Sequence, residues 1–81
     1  MPEPRLSSLH PGDSAIIRAI SADEGLHHRL LALGFRIGKE VHLIRRAWFK
    51  GPLQVRIGTT EVIMRRSDAD KIRISRHPAA R

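Results

Sequence analysis

The sequence predicts a mostly β domain, a small five-stranded barrel carrying one inserted helix. Three observations point there. Short runs of alternating apolar and polar residues recur along the chain, separated by Gly- and Pro-containing turns. One leucine-rich segment alone has helical spacing and a capping signal. With 81 residues and 41% apolar content, the chain suits a single small globular domain.

Residues 1–5 hold two prolines and read as a flexible lead, with the folded domain expected over 6–75 and a frayed tail over 76–81. "HPGD" at 10–13 is a turn, because Pro presets φ and Gly frees the next position. "SAIIRAIS" at 14–21 is the first strand, with Ala15, Ile17 and Ile20 toward the core. Ser21 and Glu24 have capping-box spacing, so the helix is expected over about 22–33. Leu26, Leu30 and Leu33 fall at i, i+4 and i+7 and form one apolar stripe.

The stretch "RLLALGFRIG" at 29–38 ends that helix. Gly34 is expected in the left-handed conformation that stops a helix, with Phe35 packed back on the last turn in a Schellman-type contact. Gly38 then turns the chain into strand two. "EVHLIRRAWF" places Val41 and Leu43 on one face and His42 and Ile44 on the other. "PLQVRI" places Leu53, Val55 and Ile57 on one face, and "TEVIMR" is short and apolar in its middle. Turns at 50–52 and 58–60 make these runs a three-stranded meander. "RRSDADKI" is too polar for a strand. Ser67 is the expected cap of a helical turn over about 67–71 that positions Ala69 and Ile72, before the closing strand "IRIS".

Composition narrows the function. There is no cysteine, which excludes disulfide, thiolate–zinc and iron–sulfur chemistry. No apolar run approaches the ~18 residues of a membrane span. "MPEPRLSSLHPGD" lacks the apolar core of a secretory signal, so a cytoplasmic protein is expected. The net charge of +7 is one-sided: residues 1–44 carry five basic and five acidic groups, and 45–81 carry ten basic groups against Glu61, Asp68 and Asp70. Such a half attracts nucleic acid, anionic lipid heads or an acidic protein face.

No metal site is expected. His27 and His28 are adjacent and diverge by about 100° on a helix. Asp23 with His27, or Glu24 with His28, offers only two ligands, and that spacing serves surface ion pairs equally well. No catalytic group is expected either: the serines stand where caps and turns want them, and no carboxylate pair has a histidine partner. Gly34 and Gly38 close a helix, whereas a phosphate loop opens one. Arg45, Arg46, Arg65 and Arg66, with Trp48 and Phe49, could grip phosphates and stack on bases. A solvated basic face is the preferred reading over nucleic acid, and the same charge suits work beside anionic lipid.

The order Leu9, Pro11-Gly12, Ala15, Ile17, "RLLALGFRIG", "GPLQVRIG" and "VIMRRSDADKIRI" resembles the FeoA family of bacterial ferrous iron uptake. The resemblance spans about residues 6–75 and implies an SH3-like barrel with an inserted helix. It also implies a non-enzymatic cytosolic accessory without cofactors, whose partner is the cytosolic, GTPase-containing part of the FeoB permease. Related barrels occur as appended domains of iron-dependent repressors, so the second reading is an SH3-like nucleic-acid-binding or regulator-associated module. One departure stands out: Ile37 occupies a position where the family pattern has proline.

An aliphatic core this small leaves apolar residues to explain. Leu30, Leu31, Leu33, Phe35 and Arg36 at the helix end, with Trp48 and Phe49 at the strand two–three turn, are the expected partner contacts. Phe35 and Trp48 could instead lid the barrel. Paired helix ends would give a weak homo-oligomer. Partnership with a permease would place the chain at the inner face of the cytoplasmic membrane.

Overall fold

The computed structural model describes residues 4–76. A 3₁₀ turn, η1 (Leu6–Ser8), leads into β1 (Ser14–Ile20), α1 (Glu24–Leu33), β2 (Glu40–Arg46), β3 (Leu53–Ile57), β4 (Thr60–Met64), a helical turn α2 (Arg66–Ala69) and β5 (Ile72–Arg76). The five strands form one antiparallel sheet in the order β4-β3-β2-β1-β5. α2 carries the chain from one edge of the sheet to the other and meets η1, where the Ser7 hydroxyl donates to the Asp70 carboxylate.

Two irregularities set which side chains point inward. β1 slips register against β5 between Ile17 and Ala19, and β2 slips against β3 between Leu43 and Arg45. Each slip inserts one unpaired residue and reverses the alternation after it. The first lets Ile17 and Ile20, three residues apart, both pack on the core. The second makes Ile44 the extra residue and puts Arg46 opposite Leu53, on the inner side. From there the Arg46 guanidinium reaches the barrel end and donates to the Leu9 carbonyl at 2.7 Å.

Inside lie Ala15, Ile17, Val41, Leu43, Leu53, Val55, Ile57, Ile72 and Ile74, with Leu26 and Leu30 from α1. Each buried Leu or Ile stabilises the fold by roughly 1.5–3 kcal/mol. Leu6 and Leu9 are fully buried as well. They sit at either end of η1, an element that sequence periodicity does not reveal because it is a single turn.

The expectations for α1 need three corrections. The helix starts at Glu24, with Asp23 as N-cap accepting from the Leu26 amide at 2.8 Å. Ser21 does not cap; its amide donates to the Lys71 carbonyl beside β5. Both residues are good caps, and the tie to β5 keeps Ser21 in the strand path. Leu33 keeps the stripe's direction but stays 38% exposed. At α2, Arg65 is the N-cap residue and Ser67 lies within the turn, so Ser67 caps nothing.

The helix ends as its sequence requires. Gly34 has φ +103°, its amide donates to Leu31, and the Phe35 amide donates to Leu30 at 2.9 Å. This is the Schellman pairing, with Phe35 and Leu30 as its buried apolar contact. Gly38, at φ +93°, is the third residue of a turn closed by the Lys39 amide on the Arg36 carbonyl at 3.0 Å. That is type II geometry, and Ile37 holds the position before the glycine where proline fits.

The two sheet edges differ. Along β5 the Ile74 amide donates to the Pro4 carbonyl and Arg5 bridges to Arg73. Pro4 and Arg5 are therefore tied down, contrary to the expected loose lead; residues 1–3 and the tail beyond 76 lie outside the described residues. β4 has no strand on its outer side among the described residues.

Candidate functional site

A groove of about 200 Å³ runs between α1 and β4. Leu26, Leu30 and Met64 form its floor, and Leu33, Val62 and Ile63 its walls. Arg29, Arg65 and Asp68 rim it. Ile63 is 72% exposed, so the groove opens onto an uncovered apolar edge. The arrangement can hold an apolar side chain beneath a mostly cationic rim.

The predicted contact residues divide four ways. Leu30 and Leu33 line the groove, Leu30 from its floor and Leu33 from its wall. Leu31 is 37% exposed and Arg36 is exposed, both beside the end of α1. Phe35 is fully buried and is the largest such side chain. It closes the helix against the barrel and presents nothing to a partner. Trp48 and Phe49 stand apart at the β2–β3 loop, 87% and 98% exposed, and lid nothing.

Sequence reasoning missed Arg29, Val62, Ile63, Met64, Arg65 and Asp68 as groove residues. A signal for one was present. Val62-Ile63-Met64 is a run of three apolar residues, and in a strand the middle one must point away from its neighbours.

The basic half resolves into separate roles. Arg46 is turned inward to Leu9. Lys50, Arg65 and Arg66, with Gly51, Pro52 and Ser67, line a second, shallower hollow of about 400 Å³. Arg65 thus borders both hollows.

Polar clusters complete the inventory. Ser14 pairs across the sheet with His42, its Oγ 2.6 Å from Nδ1, and His42 Nε2 lies 3.7 Å from Glu40. Neither hollow is lined by these groups. The Asp23 carboxylate is engaged with the Leu26 amide, and His27 and His28 are both exposed. Among the described residues no three His, Asp or Glu side chains gather to hold an ion. No described helix is long and apolar enough to cross a membrane.

Comparison with known proteins bears directly on the chain. Residues 5–76 match the FeoA domain family. A Fe(2+) transport protein A/Fe(2+) transporter FeoB fusion protein of Porphyromonas gingivalis is 37% identical over 70 residues, covering 86% of this chain and 8% of that protein. The solution structure of iron(II) transport protein A from Clostridium thermocellum superposes with a TM-score of 0.85 at 30% identity, over 90% of this chain and 45% of that one. Stenotrophomonas maltophilia FeoA, solved with zinc and described as a prokaryotic SH3 domain protein, superposes with a TM-score of 0.78 at 29% identity, over 89% of each chain. The chain therefore spans less than half the length of the first two relatives. The rolled five-stranded sheet with its inserted helix is SH3-like, and the chain belongs to the FeoA family of ferrous iron transport.

Proposed function

We propose that this chain is a non-enzymatic, cytoplasmic accessory of bacterial ferrous iron uptake that binds a FeoB-type permease and tunes its activity. One observation carries the reading: in the P. gingivalis relative, a segment 37% identical to this chain is fused to the FeoB transporter. Fusion keeps two partners at high effective concentration and is productive where they work together. The α1–β4 groove is the contact surface in this reading. It joins exposed Leu33 and Ile63 to a cationic rim, as an interface core and its steering charges require.

Capture of the permease's cytosolic part tests the reading. The folded chain binds at micromolar concentration, and Leu33→Gln with Ile63→Thr weakens binding at least tenfold, the effect of losing one interface anchor. Both substitutions preserve local propensity, so circular dichroism and melting stay as in the parent. Cells carrying the double variant take up ferrous iron like cells lacking the protein. Absence of binding by the folded parent chain overturns the proposal.

A further inference from the structure

We infer that the β2–β3 loop is a membrane-contacting tip, and that the surface it meets is an anionic phospholipid leaflet. The first observation is the pair of rings. Trp48 and Phe49, two of the chain's three aromatic residues, are 87% and 98% exposed, while the third, Phe35, is fully buried. A chain this poor in aromatics places two of them where they add nothing to its own core.

The second observation is how the rings are held. Phe49 and Lys50 have φ of +58° and +59°, successive non-glycine residues in the left-handed region. Side chains there are disfavoured, and such backbone persists where the surroundings fix it, commonly at sites of function. The loop is closed on itself: the Ala47 amide donates to Pro52 at 3.0 Å, and the Gly51 amide to Trp48 at 3.1 Å. Those amides therefore need no water, which suits a tip entering the interface of a bilayer.

The third observation is charge. Lys50, Arg65 and Arg66 surround the hollow beside the tip. The acidic groups of the adjoining turn are directed elsewhere: Asp68 lines the other groove, and Asp70 accepts from Ser7. Aromatic rings with an apolar body settle at headgroup level, and cations beside them meet lipid phosphates. Base stacking fits less well, since it uses rings laid along a groove that tracks a strand, and these rings stand at a loop apex.

Trp48 is the chain's sole tryptophan, so its fluorescence reports on the tip itself. The experiment titrates the full chain with vesicles of 70:30 phosphatidylcholine and phosphatidylglycerol, with phosphatidylcholine alone, with inorganic phosphate and with single-stranded DNA. The anionic vesicles alone shift Trp48 emission to the blue and shield it from an aqueous quencher, and 500 mM salt reverses the effect. Lys50→Gln and Arg65→Gln each lower partitioning about fivefold, the factor set by one basic residue near an anionic surface. Phe49→Ala lowers it too, with the melting temperature maintained or raised. An unshifted spectrum, or an equal shift with neutral vesicles, overturns the inference. A response to DNA at lower concentration than to vesicles overturns it in favour of nucleic acid. No permease is present, so either result leaves the permease proposal to its own test.

Discussion

Phe49→Gly is expected to stabilise the protein, although it deletes a large apolar side chain. Phe49 has φ +58°, where an L-residue is disfavoured by roughly 1–2 kcal/mol and glycine is not. The ring is 98% exposed, so its removal forfeits almost no buried area. Against the gain stands the larger chain entropy that glycine releases on unfolding, about 0.5–1 kcal/mol. The balance is a stabilisation of about 0.5–1 kcal/mol. For a domain of this size that raises the melting temperature by about 2–8 °C. Differential scanning calorimetry or a circular dichroism melt measures it. Phe49→Val is the matched control: a β-branched residue at positive φ is a steric outlier, and the melting temperature should fall. Trp48→Ala, nearly as exposed, should stay within about 0.5 kcal/mol of the parent. A glycine variant that melts several degrees below the parent would refute the reasoning, because the ring would then have to contribute packing in the folded state.

Three other perturbations separate packing, capping and turn effects. Phe35→Ala should cost about 3–5 kcal/mol in urea denaturation, since the ring is fully buried at the junction of helix and barrel. Asp23→Ala should cost about 1 kcal/mol, whereas loss of the Ser21 hydroxyl in Ser21→Ala should change stability by less than about 0.5 kcal/mol; equal effects would contradict the observed cap. Ile37→Pro should add about 0.4–1 kcal/mol, because Ile37 is 70% exposed and occupies the turn position whose φ proline presets; thermal melts decide it.

Most of the architecture was legible because it rests on period and punctuation. Leu53–Ile57 alternates strongly, Ser14–Ile20 is an isoleucine-rich run set between turn and cap signals, and Gly34 and Gly38 mark real changes of direction. What was not legible depends on partners distant in the chain. Ser21 and Asp23 are comparable caps until Lys71 engages the first. Leu33 is in phase with Leu26 and Leu30, and only the three-dimensional relation of α1 to β4 leaves it uncovered. The register slips at Arg18 and Ile44 arise from pairing between strands, which one strand's sequence does not encode. The candidate groove was half visible for the same reason: its helical wall shows as a leucine stripe, while the wall from β4 comes from a segment some thirty residues further on.

The unequal edges of the sheet also bear on how far strand pairing between copies can extend. A strand with an open side can recruit a second copy of itself, and a molecule open on both sides can go on adding copies without end. Here β5 is bonded along its outer side by Pro4 and Arg5, while β4 is not joined there by any described strand. Pairing of β4 with β4 across a two-fold axis would use up the edge that is open among the described residues. Self-association by that route stops at two, because among the described residues the opposite edge is already engaged at Arg73 and Ile74.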